Sequence, residues 1–358
     1  RAAAKAALSG RQTAILAPTT ILCEQHFETF QERLKNFPVN ISMLSRLTSP
    51  KEEKNVLDDL KTGRCDIVIG THRLLSKDVE FKNLGLLIID EEQRFGVRHK
   101  EKLKKTNPAV DILHLSATPI PRTLYLALSG LRHISTINTP PPERLPIKTF
   151  ILPYSPKIVM EAIRAELKRK GQIYYLHNRI ETLEAVKQKL ARSAPTAKIA
   201  AIHGRMAEEK LIKAMRSFRK KEINVLVATT IIENGLDNPG VNTLIVANAG
   251  RLGLAQAYQI RGRVGRSDVQ SYAYFLYQKR TLTGKAKERL EALKKAEALG
   301  SGYQIALRDL EIRGAGNILG KEQSCNINQV GLNLYCHILS EAVEKIKDLA
   351  QNLEPSGE

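Results

Sequence analysis

The sequence predicts an α/β fold with two parallel sheets, and three observations support this prediction. Short apolar runs of strand length alternate with longer segments of helical character along most of the chain. Several of these runs end directly in Thr, Ser or Asp, as strands do at the carboxyl edge of a parallel sheet. Prolines at 140–142 and 146 divide the alternation into two series. We therefore expect two doubly wound lobes.

The first series begins with an Ala-rich helix that ends at Ser9-Gly10. A helix over 21–34 follows the turn Pro18-Thr19-Thr20. Another covers about 51–60, with Ser49 as its N-terminal cap and Pro50 at its first position. The predicted strands are 13–17, 39–45, 65–70, 86–89 and 110–115.

The second series has the same character and leads into a helical C-terminal part. Its predicted strands are 147–152, 173–176, 199–202, 225–228, 243–247 and 272–276, with helices between them, for example 155–170 and 208–220. A basic helical stretch after Tyr277 and an element over 303–313 predict a helical hairpin, followed by a helix over 332–350. The predicted domains are 1–142, 143–280 and 281–345, with a polar tail over 346–358.

Composition restricts the partners and the compartment. The 358 residues include 56 Lys plus Arg against 37 Asp plus Glu, a formal net charge of +19. This excess favours a polyanion such as nucleic acid, although a generally basic protein has the same balance. The four cysteines include no Cys-x-x-Cys pair, and no apolar run approaches the roughly 18 residues that span a membrane. We expect a cytoplasmic protein without membrane contact.

The start at Arg1, without Met, predicts a fragment.

Three carboxylates follow the apolar run 86–89. Asp90, Glu91 and Glu92 would lie at the carboxyl edge of the sheet, where open α/β folds bind ligands. An Asp at this position can hold Mg²⁺, and the next Glu can orient or deprotonate a water molecule. The alternative interpretation is an acidic turn after a strand.

Arginines recur at short spacing between Gln259 and Arg266. Arg263 and Arg266 are three residues apart, and a guanidinium delivered to a γ-phosphate stabilises transition-state charge. Gly262 and Gly265 are expected to let the backbone approach a ligand closely. The alternative is a basic helix start that binds any anion.

Small hydroxyl residues follow other strands. Thr19, Thr71 and Thr229 have the donors that suit contacts to a phosphate backbone, and ordinary turn chemistry is the alternative. The chain has no G-x-x-x-x-G-K-[ST] phosphate loop, since Lys321 is followed by Glu322 and no strand precedes it. No G-x-G-x-x-G follows a strand, which excludes a dinucleotide enzyme.

Taken in order, these stretches resemble the motifs of superfamily 2 helicases. They are Ala17-Pro18-Thr19-Thr20, Gly70-Thr71-His72-Arg73, Asp90-Glu91-Glu92-Gln93, Ser116-Ala117-Thr118, Thr229-Thr230 with Gly235-Leu236-Asp237, and 259–266. The stretch 299–320 is similar to the translocation hairpin that RecG-type helicases share with transcription-repair coupling factors. The run Arg313 to Asn317, followed by Gly331 to Tyr335, is more like the coupling factors.

The resemblance implies two RecA-like lobes with a nucleotide cleft between them, a helical translocation hairpin, and the cofactors ATP and Mg²⁺. It implies an ATP-driven translocase on double-stranded DNA that displaces stalled RNA polymerase in transcription-coupled repair. RNA polymerase and the repair protein UvrA would bind through modules outside this chain. The alternatives are a RecG-type branch-migration and fork-remodelling helicase and a non-catalytic nucleic-acid-binding scaffold.

The resemblance also implies a role for each matching residue. Asp90 would hold Mg²⁺, Glu91 would activate water, and Gln93 would couple the nucleotide site to the lobe interface. The remaining assignments are Arg263 and Arg266 as arginine fingers, Gln259, Gly235 and Asp237 near the nucleotide, Thr19, Thr71, Arg73 and Thr229 on the DNA backbone, and Arg308, Arg313 and Gln323 in coupling hydrolysis to movement. The chain departs from the family pattern at Asn234, Gly250 and Cys325.

Overall fold

A computed structural model describes residues 1–95, 110–117, 133–137, 139, 144–230, 238–278, 282–296, 301–313, 341 and 345. These residues belong to two compact units, one within Arg1–Ala117 and the other within Thr118–Thr230 and Asn238–Glu358. Of the predicted helix over 332–350 only residues 341 and 345 are described, and Gly235, Asp237 and Gln323 lie outside the described residues.

The first unit contains a five-stranded parallel sheet in the order β2-β3-β1-β4-β5. The strands are β1 (Gln12–Leu16), β2 (Ile41–Leu44), β3 (Ile67–Gly70), β4 (Leu84–Asp90) and β5 (Asp111–Leu115). The helices are α1 (Ala2–Leu8), α2 (Thr20–Leu34) and α3 (Pro50–Thr62). All five β1 residues are buried, since this strand lies at the centre of the sheet.

Helices cover both faces of the first sheet. One face packs against Ala3 of α1 and Leu22 and Cys23 of α2. The other face packs against Leu60 of α3. Because successive side chains of a strand point to opposite faces, a strand covered on both sides is apolar throughout, and this explains the continuous apolar run in β4.

The predicted start of α3 is confirmed. The Ser49 hydroxyl accepts a hydrogen bond from the Glu52 N–H at 3.4 Å, and Glu52 Oε2 accepts one from the Ser49 N–H at 3.0 Å. Pro50 occupies the first turn, and Gly63 ends the helix with a φ of 80°. This reciprocal cap fixes where α3 begins and therefore which face it buries.

The second unit contains a six-stranded parallel sheet in the order β6-β11-β10-β7-β9-β8. The strands are β6 (Lys148–Pro153), β7 (Gln172–Leu176), β8 (Ile199–Ile202), β9 (Val225–Ala228), β10 (Val241–Val246) and β11 (Tyr272–Tyr277). The helices are α4 (Pro156–Lys168), α5 (Leu183–Ser193), α6 (Glu208–Arg219), α7 (Leu254–Arg261), α8 (Gly284–Lys295) and α9 (Gly302–Arg313). Both sheets are parallel, as predicted.

The structure moves several predicted boundaries by one or two residues. Strand β10 begins at Val241 rather than 243, because Val241 is in register with Gln172 at the start of β7. Strand β2 covers only Ile41–Leu44 of the predicted 39–45. Cross-strand pairing, which the local sequence does not show, sets these ends.

The predicted basic helix after Tyr277 is α8. It buries Ala286, Leu290 and Leu293, which recur at helical spacing on one face. Arg308 of α9 forms an ion pair with Glu288 of α8 at 2.8 Å. Within the part of the chain that the structure describes, no helix has both the length and the apolar character needed to cross a bilayer.

Candidate active site

Asp90 is the last residue of β4, at the carboxyl edge of the first sheet. Its Oδ1 accepts a hydrogen bond from the Glu91 N–H at 2.9 Å, and its Oδ2 lies 2.8 Å from His26 Nε2. The Asp90 side chain keeps 21% of its surface exposed. The carboxylate is therefore oriented from two sides and still reachable from solvent.

His26 is a contact that the sequence analysis missed. It lies on α2, three residues after Cys23 and four after Leu22, and both of these residues are buried against the sheet. Residues at this spacing share one helix face, so the pattern indicated that His26 faces the sheet. The sequence did not show that this face meets the end of β4.

Glu91 has a backbone conformation that is rare for a residue with a side chain. Its φ is 50° and its ψ is 54°, in the left-handed region, and its side chain is 8% exposed. A non-glycine residue in this region costs about 1 kcal/mol or more, and such residues concentrate at functional sites. The strain lies at the carboxylate to which the resemblance assigns activation of water.

Glu92 joins the acidic turn to the neighbouring strand. Its Oε2 lies 3.0 Å from Nδ1 of His114 on β5, and the Glu92 side chain is 2% exposed. Strand β5 leads into Ser116 and Ala117. The pair therefore connects the ends of two strands that carry predicted motifs. The side chain of Gln93 and all of Thr118 lie outside the described part.

The other predicted residues of the first unit have structural partners. Thr19 caps α2 by accepting a hydrogen bond from the Leu22 N–H at 3.3 Å. The Thr71 N–H donates to the Leu44 carbonyl at 3.3 Å. The Thr19 bond is the turn chemistry that was the alternative interpretation, whereas the Thr71 bond continues the pairing of β3 with β2. Contact of either residue with DNA stays a prediction.

Arg73 lies between two carboxylates. It donates to Glu53 Oε1 from Nε at 2.9 Å and to Asp78 Oδ1 from Nη1 at 2.8 Å. The hydrogen bond to Asp78, followed by that to Glu53, raises the pKa of Arg73 above its ordinary value. Most of its planar fork is already engaged, so a phosphate would have to replace a carboxylate. Its contact with DNA stays a prediction.

In the second unit the arginine motif includes the end of α7 and the turn that follows. Arg261 is 4% exposed, and its guanidinium donates to the Leu293 carbonyl at 2.8 Å and to the Ala296 carbonyl. It also lies 5.0 Å from the centre of the Tyr258 ring. Arg261 therefore satisfies carbonyls at the C-terminal end of α8 and attaches α7 to that helix.

Arg263 and Arg266 are in different environments within the same turn. Arg263 is 6% exposed, whereas Arg266 is exposed. Gln259 is buried in α7 at 9% exposure. The turn thus presents one predicted arginine finger to solvent and holds the other inside the unit.

The two glycines of this turn differ in backbone conformation, and their close approach to a ligand stays a prediction. Gly265 has a φ of 73°, and a Cβ added to it would lie 2.8 Å from Ile147 Cγ1. Gly262 has a φ of −67°, and its nearest contact would be an ordinary 3.5 Å. Only position 265 requires glycine on conformational grounds.

The remaining predicted residues are placed only in part. Thr229 follows β9, and its N–H donates to the Ile202 carbonyl at 3.4 Å. Arg308 is on α9 in its pair with Glu288, and the side chain of Arg313 lies outside the described part. Among the described residues, no group of three or more His, Cys, Asp or Glu side chains forms a metal cluster.

Two family models match the chain. Residues 1–126 match the DEAD/DEAH box helicase model, and residues 155–268 match the helicase conserved C-terminal domain model. The first match contains the acidic turn, and the second contains both predicted arginine fingers.

Curated relatives and a solved structure agree with these models. The chain is 53% identical to the transcription-repair-coupling factor of Bacillus subtilis (strain 168) over 97% of its own length and 30% of that protein. It is 51% identical to the factor of Staphylococcus aureus (strain USA300) over 98% of its length and 30% of that protein. A structure of RecG bound to a three-way DNA junction is 34% identical with a TM-score of 0.71, over 92% of this chain and 44% of that one.

The chain thus spans about a third of the length of the curated relatives that it matches. Its two parallel-sheet units have the architecture of RecA-like helicase lobes, which agrees with the RecG structure. Its motifs, its two domain matches and its relatives lead to one conclusion: the chain belongs to the superfamily 2 helicases and groups within them with the transcription-repair-coupling factors.

Proposed function

We propose that this chain is the motor of an ATP-dependent double-stranded DNA translocase that displaces stalled RNA polymerase in transcription-coupled repair. The names of its relatives support this role, and the observation that carries the motor function is the Asp90–Glu91 pair at the end of a buried parallel strand. RNA polymerase and UvrA would bind elsewhere in the whole protein, and the proposed compartment is the cytoplasm.

The first unit has suitable groups for Mg²⁺. This ion prefers oxygen ligands and is commonly held by one or two carboxylates together with substrate phosphates and water, so a dedicated protein cage is not required. Asp90 provides a carboxylate that is 21% exposed and already oriented by the Glu91 N–H. When bound, Mg²⁺ would neutralise phosphate charge. Glu91 is proposed to orient or deprotonate the attacking water.

The arginine motif of the second unit provides positive charge for a bound nucleotide. Arg263 and Arg266 are proposed to stabilise the charge that develops on the γ-phosphate, because a guanidinium stays protonated and has several donors. Gln259, Gly235 and Asp237 are proposed to contact the nucleotide.

Duplex DNA is proposed to bind through its phosphates. The net charge of +19 favours this partner, and Thr19, Thr71, Arg73 and Thr229 are the proposed contacts. Contacts of this kind position a protein on DNA without reading its sequence, as a translocase requires. Arg308, Arg313 and Gln323 are proposed to couple hydrolysis to movement.

A triplex-displacement assay tests the translocase. The whole protein should remove a third strand from duplex DNA in the presence of ATP, and Glu91→Gln should stop this removal. Efficient removal by Glu91→Gln would contradict the assignment of Glu91.

RecG-type remodelling of branched DNA is a second candidate, supported by the similarity to RecG on a three-way junction. The same preparation can be given a three-way junction and an RNA polymerase stalled on duplex DNA. Release of the polymerase supports the first proposal. Junction unwinding without polymerase release supports the second.

The 358 residues contain no phosphate loop, and we therefore propose that this chain alone hydrolyses ATP slowly. Without the loop, neither its backbone N–H groups nor its Lys can hold the phosphates. DNA-stimulated hydrolysis by residues 1–358 should be at least 100-fold slower than by the whole protein, since positioning contributes at least this factor. Comparable rates would contradict the proposal.

A further inference from the structure

Arg144 contacts the turn that carries Arg266. Its Nε donates a hydrogen bond to the Gly265 carbonyl at 2.8 Å. Arg144 precedes β6, 121 positions before Gly265 in the chain, so only the tertiary fold brings the two residues together. Its guanidinium is half-buried. The carbonyl that it binds belongs to the residue immediately before the exposed arginine.

The turn needs such support because of its backbone. Gly265 has a φ of 73°, and glycine has more backbone freedom than any other residue. Because glycine has little conformational preference of its own, the backbone of this turn must be fixed by contacts with other residues. Ile147 closes one side, since a Cβ at position 265 would lie 2.8 Å from its Cγ1. Arg144, three residues earlier on the same segment, holds the carbonyl.

The half-buried guanidinium of Arg144 lies near the positive charge of Arg266. Burial, and then the neighbouring positive charge of Arg266, lower the pKa of Arg144. Tyr258 has the opposite, smaller effect on Arg144. Two guanidiniums close enough to repel each other are unfavourable, and other contacts must offset this repulsion. Arg144 remains at this place because it satisfies a specific carbonyl.

We infer that Arg144 is a positioning residue that fixes the Gly265 turn and thereby places the guanidinium of Arg266. The inference rests on the proposed function, in which Arg266 stabilises the γ-phosphate charge. Arg144 acts through Arg266 and not on the nucleotide. Because a small displacement of a catalytic group is enough to slow a reaction strongly, loss of the Arg144 contact should lower kcat more than it raises KM.

The test is a double-mutant cycle in the whole protein, in which steady-state ATP hydrolysis is measured in the presence of duplex DNA. Arg144→Met removes the donor and keeps most of the side-chain volume. It should lower kcat about tenfold and change KM for ATP less than about twofold. Arg144→Lys, which can still donate to a carbonyl, should recover at least half of the lost rate. Arg192→Met, on the exposed face of α5, is the matched control and should retain the wild-type rate.

The decisive comparison uses Arg266→Ala. If Arg144 acts through Arg266, adding Arg144→Met to Arg266→Ala should lower the rate by less than about twofold further, because coupled residues are not additive. A full additional tenfold loss would overturn the inference and leave the role of Arg266 intact. Wild-type hydrolysis by Arg266→Ala alone would instead overturn the proposed function on which the inference rests.

A melting curve of each variant separates this role from general support of the fold. The inference requires the second unit of Arg144→Met to melt within about 3 °C of the same unit in the wild-type protein, a shift that corresponds to about 1 kcal/mol in a unit of about 150–250 residues. Equal losses in kcat and kcat/KM with an unchanged melting temperature support it. A large melting shift that Arg144→Lys does not reverse would contradict it.

Discussion

The two units use the same internal support at the start of a central strand. Gln12 is the first residue of β1, and Gln172 is the first residue of β7. Gln12 Nε2 donates to the carbonyls of Leu60 and Cys65 at 3.0 and 2.9 Å. Gln172 Nε2 donates to the carbonyls of Phe218 and Ile223 at 2.6 and 2.7 Å. In each unit one buried side-chain amide donates to main-chain carbonyls at and just after the end of a helix.

The units differ in the chemistry of the turns that carry their predicted catalytic residues. The first ends β4 in carboxylates, and the second has an arginine turn after α7. Each turn contains a residue with positive φ: Glu91 at 50° in the first unit and Gly265 at 73° in the second. The first unit places the positive φ on a predicted catalytic residue, where it is strained, whereas the second places it on a neighbouring glycine, which adopts it without strain. The buried glutamine at a strand start is shared, and the chemistry of these two turns distinguishes the units.

The largest expected effect concerns the carboxylate side of this comparison. Glu91→Gln in the whole protein should slow ATP turnover by a factor of about 10² to 10⁴, the usual contribution of a general base. Nucleotide binding should change little, since the amide keeps the size of the side chain. Steady-state hydrolysis and equilibrium binding of a fluorescent ATP analogue measure the two quantities. Turnover within twofold of the wild-type rate would show that Glu91 does not activate the attacking water.

The second prediction separates the two glycines of the arginine turn. Gly265→Ala should destabilise the second unit by about 2–4 kcal/mol, through its positive φ and its overlap with Ile147. Gly262→Ala, with a φ of −67° and a nearest contact at an ordinary 3.5 Å, should change stability by less than about 1 kcal/mol. Urea unfolding of both variants gives the comparison, and equal losses would refute the distinction.

The third prediction tests whether the paired glutamines act independently. Gln12→Ala and Gln172→Ala should each cost about 1–3 kcal/mol, because each leaves buried carbonyls without a donor. Hydrogen exchange of peptides over 12–16 and 172–176, followed by mass spectrometry, measures each unit separately. Gln12→Ala should speed exchange in the first peptide, and Gln172→Ala in the second. Equal acceleration of both peptides by either variant would show that the units open together.

The smallest expected effect is a pH dependence of stability caused by two buried cysteines of the first unit, Cys23 and Cys65. Burial raises the pKa of Cys23 to about 12 and that of Cys65 to about 11 from the ordinary 9.0. Both thiols are protonated in the folded unit, so unfolding becomes easier once pH exceeds the unfolded pKa. At pH 9.5 the first unit should lose about 1 kcal/mol per thiol relative to pH 7.5.

The control is Cys23→Ala/Cys65→Ala, in which this part of the pH dependence should disappear. Hydrogen exchange over 12–16 at the two pH values, corrected for the intrinsic exchange rate, measures it. An identical pH dependence in the wild type and the double variant would contradict the assignment to these thiols.

The sequence by itself determined the two α/β units, because strand-length apolar runs and helical spacing are local patterns. It located the strand-end chemistry at Asp90 and Glu91, since a carboxylate directly after a buried strand is also a local feature. The cap of α3 at Ser49 was predicted for the same reason.

Only the tertiary structure decided which residues support the site. His26 lies 64 positions from Asp90, and Arg144 lies 121 positions from Gly265. The tertiary structure also showed that Arg261 is attached to α8, although it belongs to the same short motif as Arg263 and Arg266. Local spacing shows which strand or helix carries a residue. The partners of that residue depend on strand order and helix packing, which are formed by contacts between distant segments.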